Sequence, residues 1–185
     1  MTQQSKPPAS MASSAAMVQP PDEYTGFFGN YIKRVHGDVF EFLRITHAAL
    51  HTALAGLTEG QAEAHPAPNE WSIKEVVGHI SDTERIFAYR ALRFARGDAT
   101  PLAGFEQDEY VATGSFNKRT LRDLLDELDA VRSATLALFH SLSDEALTRR
   151  GTAASNVVSA RALLLAIAGH EDHHLQSLRE VYLSR

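Results

Sequence analysis

The sequence predicts an all-α protein built as an antiparallel four-helix bundle. Three observations carry that expectation. Four segments repeat apolar residues at helical spacing. Each is bracketed by start and stop signals. No segment has the alternation and β-branched density of a convincing strand. The 185 residues suffice for one domain, and 44% apolar content supports a sizeable core.

Residues 1–22 are rich in Ser, Ala, Gln and Pro, lack periodicity, and read as a flexible tail preceding a bundle domain over 23–185. Tyr24 to Val35, with its aromatics and two glycines, fits a short helix or turn. The first long helix starts after Asp38, a good N-cap. Val39, Leu43, Leu50, Leu54 and Leu57 form its stripe, and Gly60 reads as its stop. Pro66 and Pro68 mark a connection. Ser72-Ile73-Lys74-Glu75 fits a capping box that opens a second helix running to about Arg96. Ile73, Val76, Ile80, Phe87 and Ala91 form its apolar face, and Gly97-Asp98 ends it. A long connection spans Asp98 to Phe116. The third helix begins at Asn117 or Thr120 and reaches Leu142, with Leu121, Leu124, Leu125, Leu128, Val131, Leu138 and Phe139 as its stripe. Ser143 to Arg150 adds at most one turn, and Gly151 to Val158 is read as a loop. Ser159 caps a fourth helix running to Leu183.

Composition excludes several function classes. The net charge of -5 and the lack of a Lys/Arg cluster argue against nucleic-acid binding. Cysteine is absent, so a thiolate nucleophile, a disulfide and any Cys-ligated metal are excluded. No apolar run is long enough to span a bilayer, and the N-terminus makes a poor signal peptide. A cytoplasmic protein with no membrane partner is the expectation.

Nine histidines stand out. In Gly169-His170-Glu171-Asp172-His173-His174, His170 and His174 lie four apart on one helical face, within the stripe Leu163, Ile167, Leu178, Val181. Two imidazoles aimed into a core cost about 1–3 kcal/mol each if unpartnered, and a metal ion would remove that cost. His79, three residues after Val76, also faces inward. Three imidazoles from two helices would leave coordination positions open, the pattern of a catalytic site. Against this stand the ordinary reading of an inward histidine as a hydrogen-bonded core residue, and a competing i,i+4 pair. That pair is His47 and His51, with His47 facing inward and His51 nearer the edge of its stripe. Spacing alone leaves His79 and the 47/51 pair in competition.

The stretch from Trp71-Ser72-Ile73-Lys74-Glu75 through Gly78-His79-Ile80-Ser81-Asp82-Thr83-Glu84-Arg85 resembles the second helix of the DinB/YfiT-like superfamily. Gly169-His170-Glu171-Asp172-His173-His174-Leu175 resembles its last helix, and Gly104-Phe105-Glu106-Gln107-Asp108-Glu109-Tyr110 its connection after helix two. The resemblance spans residues 24–184. It implies a four-helix bundle, often dimeric, that binds nickel, zinc or a similar divalent ion (iron or manganese included) through three histidines, which here are His79, His170 and His174. His47, His51 and His173 have no counterpart in that pattern. Relatives include metal-dependent hydrolases and S-transferases or isomerases that use a low-molecular-weight thiol such as bacillithiol or mycothiol. The resemblance thus implies an enzyme acting on a small molecule, as hydrolase or thiol-dependent S-transferase, in a homodimer. The alternative is a non-enzymatic, stress-associated bundle with a structural metal or none.

Around the triad, Asp82 is the candidate catalytic residue, as base or as acceptor behind His79, against the plainer reading of a surface carboxylate paired with Arg85. Glu75 reads more as a cap than as a partner of His79. Glu171 and Asp172, off the ligand face by about 100° per residue, read as solvated. Arg90 returns to the face of His79 about 16 Å along the axis and reads as a structural ion pair. Asp108 and Tyr110 are placed to close over the site, and Trp71 to staple the start of helix two.

Overall fold

The structure is a computed structural model that describes residues 22–98 and 100–184. The tail assigned to residues 1–22 therefore lies, except for Asp22, outside the described residues. Four long helices dominate: α2 (Val39–Leu54), α4 (Ile73–Ala95), α6 (Leu121–His140) and α8 (Ala160–Ser177). The short helix α1 (Phe28–Ile32) precedes them, and α3 (Glu59–Glu63), α5 (Gln107–Gly114) and α7 (Asp144–Thr148) lie in the connections between them. The starts follow from local chemistry. Side chains of Asp38, Ser72, Thr120 and Ser159 each accept a hydrogen bond from the backbone N–H three residues on. At Ser72 the reciprocal bond from Glu75 completes the capping box, so Glu75 is a cap. Thr58 and Gln61 form a second box that starts α3, which places Gly60 inside a helix rather than at a stop.

Two apolar clusters fix the path of the chain. One joins the start of α2 (Val39, Leu43), the end of α4 (Phe87 to Ala95), the end of α6 (Phe139) and the start of α8. The other joins the end of α2 (Leu50, Leu54), the start of α4 (Ile73 to Ile80), the start of α6 (Leu121 to Leu128) and Leu175 and Leu178. Helices α2 and α8 therefore run one way, and α4 and α6 the other. The long connection from 98 to 120 carries the chain back between α4 and α6, as a crossover in a bundle must. Helix α8 lies between α2 and α4, and α4 between α8 and α6. Polar side chains lie between the two clusters at mid-height: His47 on α2, His79 and Glu84 on α4, Asp129 and Arg132 on α6, His170, Glu171 and His174 on α8.

Two elements depart from expectation. The loop before α8 is an antiparallel hairpin, β1 (Arg150–Ala153) and β2 (Asn156–Ser159), with Arg150 opposite Ser159. Its turn residues Ala154 and Ser155 both have positive φ, 49° and 63°. That is the sign a primed two-residue turn requires, here without the Asn-Gly that marks such turns in sequence. At the other end, α8 ends at Ser177 and continues as a π-helical turn, Leu178–Tyr182. The wider turn shifts the facing of the last residues, so Leu178 is buried while Val181 is exposed. Among the described residues, no helix is long and apolar enough to cross a membrane.

Candidate metal centre

Two glycines let neighbouring elements close on the ligand helices. A Cβ on Gly78 would come within 2.3 Å of the Phe116 ring, and one on Gly169 within 2.0 Å of the Tyr31 carbonyl oxygen. Each precedes a candidate ligand, His79 or His170. The tight approach of α1 seats Tyr31 edge-on against the His170 ring, with centroids 5.1 Å apart.

His79, His170 and His174 converge. The Nε2 atoms of His79 and His174 lie 3.0 and 3.1 Å from Nε2 of His170, and the three ligand atoms all fall within 4.8 Å of one another. His79 and His170 are buried and His174 partly so. Burial, followed by mutual repulsion among the histidines, holds the His170 and His174 imidazoles well below the usual histidine range. Burial with the His173 charge lowers His79 to about 4. The three rings are therefore neutral at pH 7, the form in which imidazole ligates metal. One lone pair cannot satisfy two well-formed N–H donors at once, whereas a cation satisfies three converging lone pairs. The donor set thus fits a divalent ion of the zinc or nickel type. Trp71 packs over this group, its ring 4.7 Å from His79 and 6.4 Å from His174. It therefore covers the histidines rather than merely stapling the helix start.

Beside His79 and His170 opens a cavity of about 430 Å³, whose walls include Tyr31, Thr83, Arg90, Phe105 and Asp108. Its size suits a small molecule. Asp108 reaches it as expected, whereas Tyr110 is half-exposed and packs on Phe105. Arg90 is buried and forms no ion pair among those described. Its Nη2 donates to the Ala103 carbonyl, and its Nη1 has no hydrogen-bond partner. The Thr83 hydroxyl is likewise buried without one. Among the described residues these are the two buried side-chain polar atoms left unsatisfied, and both residues line this cavity. The structural ion pair expected for Arg90 is thus not what the fold builds. Asp82 is 3.3 Å from Arg85, whose guanidinium also reaches Glu127. Burial raises the Asp82 carboxyl despite Arg85. The cavity-lining residue one turn after His79 is Thr83, not Asp82.

Glu171 corrects the sequence reading most sharply. It is fully buried, not solvated. Its carboxylate accepts from Arg132 at 3.1 Å, from Thr46 at 3.2 Å and from His47 Nδ1 at 2.9 Å. Arg132 also grips Glu84 through two bonds of 2.9 and 2.8 Å. The cause is the position of α8 between α2 and α4, which leaves it little solvated face. Turning 100° from His170 points into α2 and α6, not into water. Asp172 does reach the surface region, where it pairs with Arg34 at 2.8 Å. The signal for this network was in the sequence: Glu84 follows Ile80 by four, and Arg132 lies between Leu128 and Thr135, so opposite charges occupy core positions of two stripes. His47 and His51 do not join the triad. They meet Asp129 instead, as a separate group.

The family model of the DinB superfamily matches residues 43–178. The chain belongs to the DinB superfamily. Among solved structures it is similar to YfiT from Bacillus subtilis, described as a probable metal-dependent hydrolase with an unusual four-helix bundle topology. That match has 17% identity and a TM-score of 0.70, covering 91% of this chain and 97% of that one. At this identity the likeness shows the fold. None of the curated proteins compared matches the chain.

Proposed function

We propose that this chain is a metal-dependent enzyme that holds a divalent ion, zinc or nickel, through His79, His170 and His174. The reaction is hydrolysis, or S-transfer from a low-molecular-weight thiol, on a small molecule. The observation that carries this reading is the convergence of three neutral imidazoles, two of which, His79 and His170, line a small-molecule-sized cavity. An ion held there would supply Lewis acidity, which suits either activation of water or activation of a thiol. The chain has no cysteine, so a thiol nucleophile would have to come from a cosubstrate.

The chain's own residues supply the rest. Arg90 offers a positive charge at the cavity, and the Thr83 hydroxyl a second hydrogen-bonding group. Both support a substrate that carries an anionic group, since each polar atom gains a partner when such a ligand enters. Phe105 and Tyr31 supply apolar wall, and the Trp71 ring packs against His79.

The test is a screen of metal-loaded protein against esters, amides, and electrophiles offered with bacillithiol- or mycothiol-type thiols. Turnover that disappears in His170→Ala and needs the added metal supports the reading. A folded, metal-loaded protein inert to the whole panel, in which His170→Ala lowers stability alone, would favour the non-enzymatic bundle.

A further inference from the structure

A second cluster of metal-ligating side chains lies on the opposite side of α8 from the cavity. His47 and His51 sit one turn apart on α2, their rings 4.9 Å between centroids. Across from them on α6, Oδ1 of Asp129 lies 2.8 Å from Nε2 of His47 and 2.8 Å from Nε2 of His51. All three ligand atoms fall within 4.8 Å of one another. The side chains are 18%, 35% and 48% exposed, so an ion can reach them from solvent.

The hydrogen bond behind His47 leaves its other ring nitrogen facing the cluster. His47 Nδ1 faces the buried carboxylate of Glu171 at 2.9 Å, and that carboxylate also accepts from Arg132 and Thr46. The Glu171 carboxylate accepts, so Nδ1 carries the proton. In neutral His47 the lone pair is then on Nε2, aimed at a carboxylate oxygen 2.8 Å away. His51 points its own Nε2 at the same oxygen. A carboxylate that fixes the far nitrogen of a histidine, leaving the near one as donor, is also the arrangement that commonly stands behind metal-bound histidines.

We propose that His47, His51 and Asp129 form a second divalent-metal site, distinct from the triad, with Glu171 orienting His47 from behind. Two imidazoles and one carboxylate suit a first-row transition ion such as Zn²⁺ or Ni²⁺ and leave further positions to water. Accommodating the ion requires the ligand atoms to part from 2.8 Å to roughly 3.3 Å, as donors at 2.0–2.2 Å from a tetrahedral ion are spaced. His51 and Asp129, at the surface, are free to make that shift. This site does not depend on the reading of the triad.

The test uses the full chain without a histidine tag, stripped with chelator, reloaded with Zn²⁺ and freed of excess. Zinc is counted by mass spectrometry and affinity measured against a chromophoric chelator. Two ions per chain are expected, falling to one in His51→Ala and in Asp129→Asn. Affinity at that site should drop at least 100-fold, with circular dichroism unchanged. One ion should remain in His170→Ala/His174→Ala. A native chain that binds one ion only, lost in His51→Ala but retained in His170→Ala/His174→Ala, supports this site and counts against the triad. Zinc content and affinity unaltered by both His51→Ala and Asp129→Asn would overturn the proposal, whatever the triad variant does.

Discussion

Replacing Arg132 with methionine gives a sharp test of the polar layer. The guanidinium is 5% exposed and bridges Glu84 and Glu171, whose side chains are 2% and 0% exposed. Methionine fills much of the volume but strands the carboxylates. Breaking a buried pair by removing one partner costs about 3–5 kcal/mol. His47 and Thr46 still hold Glu171, so the lower part of that range applies, about 3–4 kcal/mol. For a chain of this size that lowers Tm by roughly 6–16 °C. The sign with pH follows from Glu171. Burial pushes its carboxyl up, but the Arg132 charge and the hydrogen bonds from His47 and Arg132 outweigh burial and hold it below the usual 4.5. In the native protein its contribution is therefore full above that value and lost as pH falls through the folded value. Without Arg132 burial dominates, the carboxyl rises, and its penalty fades as acid protonates it. Differential scanning calorimetry of metal-free protein at pH 7 and pH 5 should show the gap between native and variant shrinking at the lower pH. A gap under about 1 kcal/mol at pH 7, or one that grows on acidification, would refute the reasoning.

Gly169→Ala should cost at least about 2 kcal/mol, read by urea denaturation, because its Cβ would fall 2.0 Å from the Tyr31 carbonyl oxygen. Ser155→Gly should raise stability by about 0.5 kcal/mol, since the residue holds φ at 63° in an exposed hairpin turn. Once a substrate is found, Arg90→Met should raise KM for anionic substrates about tenfold or more, with kcat for an uncharged analogue little changed.

The four long helices were legible because their stripes and caps agree: Asp38, Ser72, Thr120 and Ser159 cap as local chemistry demands. The three converging histidines were legible for the same reason, being polar groups in apolar stripes. The hairpin was not, because Ala154-Ser155 adopts a turn whose usual residues are absent. The burial of Glu171 was not, because one helix's periodicity does not say how many neighbours surround it. The open role of Arg90 was not either, since an unsatisfied guanidinium nitrogen exists only once the connection after α4 has folded over it. Asp129 gave no signal in its own helix. It matters because α6 brings it to a histidine pair 78 residues away along the chain.

The most direct test of the central claim is X-ray absorption on protein carrying His51→Ala and Asp129→Asn, loaded with one equivalent of Zn²⁺. The structure predicts a bound ion with three imidazole nitrogens at about 2.0–2.1 Å, and no bound ion once His170→Ala/His174→Ala are added. An ion retained with unchanged imidazole scattering after those two histidines are removed would contradict it.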